Sequence, residues 1–335
     1  MSLRFAAIGL SHNHIYNQVD MLLREGADLV WFWGREPARI VAFTERYPQA
    51  VFARDVQEIL DDPTIALIVG AETPVERAPL GIRAMQHGKD YSTAKPGFTS
   101  LEQITDVRRV CAETGRRYFV LFGERVENAA TVRAGELVRG GAIGRVVQTT
   151  GFGPHRLLGH IPREPWTYDA AQHGGILNDL ASHQIDQFLY FTGSASARIV
   201  SAHVGNVRFA QQFPAFQDYG DLTIQSENAV GFVRVDWLTP DGLATWGDVR
   251  LFLLGTDGTI ELRKNIDLAG RPGKDHLFLV DQKGTQYIDC SDTRMPYAAQ
   301  MLADLRDRTE TAIGQEHTFT ACELALMAQG MAERI

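Results

Sequence analysis

The start of this chain constrains its fold more than any other part. Through about residue 120, short apolar runs alternate with stretches of helical period. "LRFAAIG" (residues 3–9) reads as a buried strand, and "IYNQVDMLLREG" as a helix ending at Gly26. "DLVWFWG" is the next strand. "PARIVAFTERYP" is a helix with proline at its start and after its end. "TIALIVG" (residues 64–70) is a third strand. "VERAPLGIRAMQHG" reads as a helix with Pro79 near its first turn. "KDYSTA", "LEQITDVRRVCAETG" and "RRYFVLFG" continue as strand, helix and strand. Such alternation implies right-handed crossovers and a doubly wound α/β domain around a parallel sheet.

The texture changes around Gly144. After the helix-like "VRAGELVRGGAIG" come β-rich runs: "RVVQTTGFG", "RIVSAHVGNVRF", "DLTIQSE", "AVGFVRVDWL", "VRLFLLG", "GTIELR" and "HLFLVD". Polar breaks separate them, including Glu227-Asn228 and the hairpin signal Asp257-Gly258. "PYAAQMLADLRDRTETAI" and "TACELALMAQGMAERI" read as closing helices. The expectation is a Rossmann-type domain over residues 1–123 and an α+β domain over residues 124–335, with one large, mostly antiparallel sheet. A chain of 335 residues accommodates both. The net charge of −8 is spread without acidic or basic blocks, which argues against nucleic acid or an anionic membrane as partner. No run approaches the ~18 apolar residues of a membrane span. "MSLRFAAIGL" lacks a signal-peptide pattern, and Cys111, Cys290 and Cys322 form no CxxC pair. The expected location is the cytoplasm.

The turn after the first strand, "GLSHNH", carries Gly9, Ser11, His12, Asn13 and His14. A dinucleotide turn places glycine at three positions, G-x-G-x-x-G. Gly9 fills the first; Ser11 and His14 stand at the others. Ser11 is small, and its hydroxyl could donate to a phosphate. An ordinary strand-to-helix turn is the plain alternative. His12-x-His14 also looks like the metal-binding start of a (β/α)₈ hydrolase, with His155, His183 and an aspartate completing it. An eight-fold barrel would need strand–helix alternation to the end, which this chain abandons. The second strand ends in Gly34 and Arg35 where NAD-specific turns usually carry an acid, which leans the cofactor towards NADP over NAD. Lys95-Pro96 follows a strand at the sheet edge where ligands of such folds bind, and a lysine there can stabilise an alkoxide.

"GGILNDLASHQIDQF" (residues 174–188) is the fourth chemical stretch. On a helical wheel Leu177, Leu180, Ala181, Ile185 and Phe188 form a buried arc, with Asp179, His183, Asp186 and Tyr190 opposite. That polar arc is either a solvated helix face or a proton-transfer site. Gly174-Gly175 permits close backbone approach at its start. The preceding "PHRLLGHIPREPWTYDAAQH" is rich in residues that hold a polar small molecule, among them His155, Arg156, Trp166 and Tyr168.

Together "AKPGFTS", "GERVENAATVRAGELVRGGAIGRV" and "GGILNDLASHQIDQF" resemble the glucose–fructose oxidoreductase/inositol dehydrogenase/MocA family of NAD(P)-dependent oxidoreductases, over nearly the whole chain. The resemblance implies that Lys95, Asp179 and His183 are catalytic. It implies that Gly9, Thr73 and Pro74 line the cofactor path. The family glutamate before the lysine is Ala94 here, and a histidine usual after Thr-Pro is replaced by Ala78. By resemblance the substrate is a sugar, polyol or sugar-derived alcohol or ketone. His183 is then the general base, Asp179 orients it or grips a hydroxyl, and Lys95 stabilises the alkoxide. The protein is expected to form a homodimer or homotetramer through the late sheet. Two other readings stay open: a cofactor-poor sugar-binding or regulatory protein of this fold, and a metal enzyme using His155 or His173 with Asp179 and His183.

Overall fold

The computed structural model describes residues 2–157 and 163–335. Contacts gather the chain into two units. The first contains Met1–Leu121, Ala171–Gly174 and Pro296–Phe319; the second contains Phe122–Ala170, Gly175–Met295 and Thr320–Ile335. The linear division at residues 123 and 124 thus differs from the spatial one. Pro296–Phe319, grouped with the second domain on sequence, clusters with the first unit.

In the first unit the strands are β1 (Arg4–Ile8), β2 (Asp28–Trp33), β3 (Val51–Phe52), β4 (Leu67–Gly70), β5 (Asp90–Ala94) and β6 (Tyr118–Leu121). They pair in parallel in the order β3-β2-β1-β4-β5-β6. Between them run helices α1 (His14–Arg24), α2 (Pro37–Arg46), α3 (Val56–Asp61), α4 (Pro74–Gln86) and α5 (Leu101–Thr114). Phe5–Ile8 and Leu67–Gly70 are wholly buried, as strands covered on both faces must be. The strand order reverses at the β1/β4 boundary, where such sheets open a crevice at their carboxyl edge.

Local chemistry sets the helix ends. Pro37 opens α2 at a position whose N–H would have no helical partner. The Ser100 hydroxyl caps α5 by accepting from the Gln103 N–H at 3.2 Å. Pro79 lies in the second turn of α4 rather than its first, because the helix starts at Pro74. A proline there cannot donate to the Val75 carbonyl. The Gln103 side chain donates to that carbonyl instead, at 3.2 Å.

The second unit begins with α6 (Gly123–Val126), α7 (Ala129–Arg139) and β7 (Val146–Pro154). A short helix α8 (Ala170–His173), all but its first residue in the first unit, precedes a π-helical turn, Leu177–Ala181, which leads into α9 (Ser182–Thr192). Then come β8 (Arg198–Gly205), β9 (Tyr219–Gln225), β10 (Val230–Asp236), β11 (Arg250–Gly255), β12 (Thr259–Arg263), β13 (His276–Asp281) and β14 (Gly284–Asp289). Helix α10 (Tyr297–Asp307), which belongs to the first unit, helix α11 (Gln315–Met331), which begins in the first unit and ends in the second, and strand β15 (Glu333–Arg334) finish the chain. Among the described residues the second sheet has nine strands, in the order β14-β13-β12-β11-β7-β10-β9-β8-β15. Its pairs are antiparallel except β7/β10 and β8/β15. Strand β14 was not anticipated: "GTQYID" lies mostly exposed at an edge and has no buried apolar face to announce it.

Helices cover one face of this sheet. Ala130, Ala134 and Phe191 pack with Leu251, Leu253, Ile260 and Leu277 in one core. Glycines in adjacent strands let the π turn and α9 come close. A Cβ on Gly220 would lie 2.8 Å from Leu177 Cδ2, and one on Gly231 2.8 Å from Phe188 Cδ2. A Cβ on Gly151 would lie 2.7 Å from Gln184 Cγ. The opposite face exposes Val230, Phe232, Leu254, Val280 and Tyr287.

Candidate functional site

Gly9 ends β1 with φ +87°, a conformation that favours glycine. Its N–H donates to the Trp33 carbonyl at 2.9 Å, and its own carbonyl accepts from the Ala71 N–H at 3.2 Å. The turn is thereby tied to the ends of β2 and β4. A Cβ at Gly9 would lie 2.7 Å from Glu72 Cδ. Ser11 is buried, and its hydroxyl faces carboxylates: 3.0 Å to Glu72 Oε2 and 3.4 Å to Glu36 Oε1. His14 is the first residue of α1, and its N–H donates to His12 Nδ1 at 3.1 Å. The two imidazoles meet edge to face at 4.0 Å. Asn13 accepts from Arg39 through Oδ1 at 3.3 Å. The Leu10 side chain fills the space beside Gly34.

Arg35 leans over the Trp33 ring and pairs with Glu76 at 2.7 Å; Glu72 lies 3.7 Å away. Its hydrogen bond to the Glu76 carboxylate raises the pKa of this guanidinium. Pro74 is the first residue of α4, and the Thr73 carbonyl accepts from the Glu76 N–H at 2.9 Å. Lys95 is 7% exposed, at the exit of β5. Its backbone is held by Arg77, a residue that sequence reasoning missed. The fully buried Arg77 guanidinium donates to the carbonyls of Glu72 (2.7 Å), Ala94 (3.1 Å), Lys95 (2.7 Å) and Pro96 (3.0 Å). One side chain therefore ties the turn after β4 to the turn after β5.

The backbone here suits a dinucleotide. A glycine with positive φ stands at the carboxyl end of β1, at the switch point of the sheet and before the N-terminus of α1. The side chains are less usual, since the acids Glu36, Glu72 and Glu76 surround one arginine.

In the second unit, Asp179 and His183 are 7% and 5% exposed. The solvated-face alternative for this helix is therefore incorrect. The polar arc is buried because other polar groups meet it. Asp186 takes two hydrogen bonds of 2.8 Å from Arg125, which also lies over the Tyr190 ring. Gln187 donates to the His183 carbonyl at 2.9 Å and accepts from Lys264 at 2.5 Å. Lys264 also reaches the Glu124 carboxylate at 3.3 Å, and Gln184 donates to that carboxylate at 2.8 Å. Burial pushes the Lys264 ammonium below its usual range, with Glu124 opposing.

The helix entry is unusual too. Leu177–Ala181 makes a π turn, a form that frequently marks functional sites, where the spacing predicts an α-helix. Its first N–H groups are capped by side chains distant in sequence. Gln217 accepts from Ile176 N–H at 2.9 Å, and Gln329 accepts from Leu177 N–H at 3.0 Å. The Gln329 amide occupies the space that a Cβ on Gly175 would need.

Arg163 is the second missed residue. Burial lowers its pKa, while the charge of nearby Asp179 opposes that shift. Its guanidinium lies over Trp237 at 5.0 Å and donates to the Arg156 carbonyl at 2.8 Å. Tyr168, also close to Arg163, stacks on Phe213 at 3.8 Å. Trp166 shares the short 3₁₀ turn Pro165–Tyr168 with it. His155 packs between Trp237 and Trp246, with Nδ1 3.1 Å from the Gly153 carbonyl. Arg156 spends its guanidinium on a loop, donating to the carbonyls of Pro240, Leu243 and Thr245. Residues 158–162 of this stretch lie outside the described residues. Among the described residues no cluster of three or more His, Cys, Asp or Glu side chains is arranged to hold a metal ion.

Comparison with known proteins agrees with this architecture. Residues 3–122 match an oxidoreductase family with an NAD-binding Rossmann fold, and residues 131–261 match the GFO/IDH/MocA C-terminal domain. A D-xylose dehydrogenase of Paenarthrobacter nicotinovorans is 28% identical over 154 residues, 45% of this chain and 39% of that protein. The match thus spans well under half of that relative's length. A scyllo-inositol 2-dehydrogenase (NAD+) of Bacillus subtilis strain 168 is 26% identical over 291 residues, 85% of this chain and 78% of that one. A crystal structure from Erwinia carotovora atroseptica SCRI1043 superposes with a TM-score of 0.96 at 43% identity, covering 100% of both chains.

Proposed function

The chain belongs to the glucose–fructose oxidoreductase/inositol dehydrogenase/MocA family of oxidoreductases, and on that premise we propose that it moves a hydride between a nicotinamide dinucleotide and a carbinol carbon of a sugar, polyol or sugar derivative. The carrying observation is the burial of Asp179 and His183 on a helix braced by Arg125, Lys264 and two capping glutamines. Burying a carboxylate and an imidazole costs free energy unless they are matched, so a chain that does it has a use for them.

The dinucleotide, when bound, supplies the hydride acceptor. His183 takes the proton of the reacting hydroxyl, and Asp179 orients the imidazole or the neighbouring hydroxyl. The Lys95 ammonium stabilises the negative charge that grows on the oxygen towards the transition state. Arg77 is a positioning residue for Lys95. Arg163, Trp166 and Tyr168 contact the substrate, and Arg156 and His155 shape the walls around it. Arg35 leans the cofactor choice towards NADP. Turnover of a polyol and aldose panel with NAD+ and NADP+ tests the reading. Absence of turnover with both cofactors across the panel, from protein that binds neither, overturns it.

A second reading, a sugar-binding protein that has lost its cofactor, is favoured by the acids around Ser11. Titrating NADH and NADPH against the fluorescence of the five tryptophans separates the two.

We further propose a homodimer or dimer of dimers through the open face of the second sheet, where Phe232, Leu254, Val280 and Tyr287 are exposed together with aromatic–guanidinium pairs such as Arg234 over Phe152. Light scattering that finds a monomer counts against it. No described helix is long and apolar enough to cross a membrane. A cytoplasmic location is consistent with three cysteines outside any disulfide, and cell fractionation checks it.

A further inference from the structure

Glu72 stands where the strand order reverses. It follows β4, abuts Gly9 at the end of β1, and is 3% exposed. Each neighbouring element brings a charged or titratable group towards it. From the first turn, the Ser11 hydroxyl donates to Oε2 at 3.0 Å, with His12 and His14 just beyond in sequence. From the turn after β2, Arg35 lies 3.7 Å from Oε2, and Glu36 lies 3.4 Å from the same Ser11 hydroxyl. From α4, Glu76 takes the closest hydrogen bond of Arg35 at 2.7 Å. Arg77 donates to the Glu72 backbone carbonyl and to those of Ala94, Lys95 and Pro96. From β5 comes the buried Tyr91 phenol, which feels the Glu72 charge.

Three carboxylates and one guanidinium therefore crowd the turn that, on the reading proposed above, receives the dinucleotide phosphates. The Ser11 hydroxyl has one hydrogen, and it points at carboxylates rather than outward. A phosphate approaching this turn meets like charge and a donor already in use.

We propose that Glu72 takes up one proton from solvent when the dinucleotide binds, and that Ser11 relays the change. Protonated, Glu72 donates its O–H to Ser11 Oγ. The Ser11 hydrogen is then released to donate to a phosphate oxygen, and one negative charge leaves the turn. No bond other than hydrogen bonds is made or broken. Serine at the second glycine position thus acts as a switchable donor that glycine could not provide. Burial raises the pKa of the Glu72 carboxyl, against the pull of Arg35 and Ser11, which favours the uptake.

The test is calorimetric titration of the whole protein with NAD+ and NADP+, from about pH 6 to about pH 9, in buffers of different ionisation enthalpy. The wild-type protein is expected to take up a fraction of a proton rising towards one, and its Kd to weaken up to about tenfold per pH unit in that window. Glu72→Gln is expected to bind without that uptake and with a Kd independent of pH, tighter than wild type at the alkaline end. Ser11→Ala is expected to lose affinity most at the acid end. Wild-type binding without buffer-dependent proton uptake overturns the inference and needs no variant. Uptake that persists in Glu72→Gln also overturns it, and points to His12 or His14. Failure of both wild type and Glu72→Gln to bind either dinucleotide overturns the cofactor reading together with this inference. Binding without uptake overturns this inference alone.

Discussion

Glu72 after β4 and Asp186 on α9 are both buried carboxylates, and their surroundings could hardly differ more. Asp186 receives two short hydrogen bonds from one guanidinium whose plane also rests on Tyr190. The Glu72 carboxylate receives one hydroxyl bond, and Arg35, the cation 3.7 Å from it, pairs more closely with Glu76. A buried charge with a dedicated partner is costly to disturb and holds its element in place. A buried charge with a shared partner keeps its protonation state open to whatever arrives next. The first kind of environment surrounds the helix carrying Asp179 and His183; the second surrounds the turn carrying Gly9 and Ser11.

The contrast can be broken at several points. His183→Ala should leave folding almost intact and lower kcat by about 10³-fold, or about 4 kcal/mol, in the range of a lost general base. Near-normal turnover would remove it from the mechanism. Arg125→Met leaves Asp186 buried without its partner and should cost about 3 kcal/mol in urea unfolding. Adding Asp186→Leu should recover most of that loss; if the double variant is no better than the single, the pair is not what braces α9. Gly220→Val pushes into Leu177 and Ile176 beneath the π turn, and should cost about 2 kcal/mol despite the better strand propensity of valine. The smallest effect should be a gain. Glu72 has a raised pKa in the folded state, so stability is lost as pH rises through that value. Glu72→Gln removes that loss, so its melting temperature should match wild type at acid pH and exceed it at alkaline pH. A constant offset at all pH values would assign the change to packing instead.

What the sequence revealed follows from the same physics. Strands β1 and β4 are legible because parallel strands covered on both faces read as unbroken apolar runs. Strand β14 is not, since an edge strand has no buried face to pattern it. Asp179 and His183 stand out by type and spacing. Their burial does not, because the groups that match the polar arc, Glu124, Arg125 and Lys264, lie far away along the chain. Arg77 looks like any helix-surface arginine until its four carbonyl acceptors are assembled by two separate turns. Arg163 lies in a polar and aromatic stretch, but nothing local sets it apart from Arg156. The solvated and buried versions of α9 have the same helical wheel, and only the tertiary partners decide between them.

The π turn at Leu177–Ala181 also bears on how this protein could change by insertion and deletion. A π turn is a helix holding one residue more than an α-helix of its length requires. Removing a single residue there, for instance Leu180, would let the turn relax to α-helix without breaking the chain. It would also shorten the spacing of Asp179 and His183 from four residues to three. A frame-preserving deletion of one codon, harmless in most surface loops, would here change the spacing of the carboxylate and the imidazole while leaving both on a well-formed helix. Alignments of relatives should therefore tolerate gaps freely on either side of this turn and resist them within it.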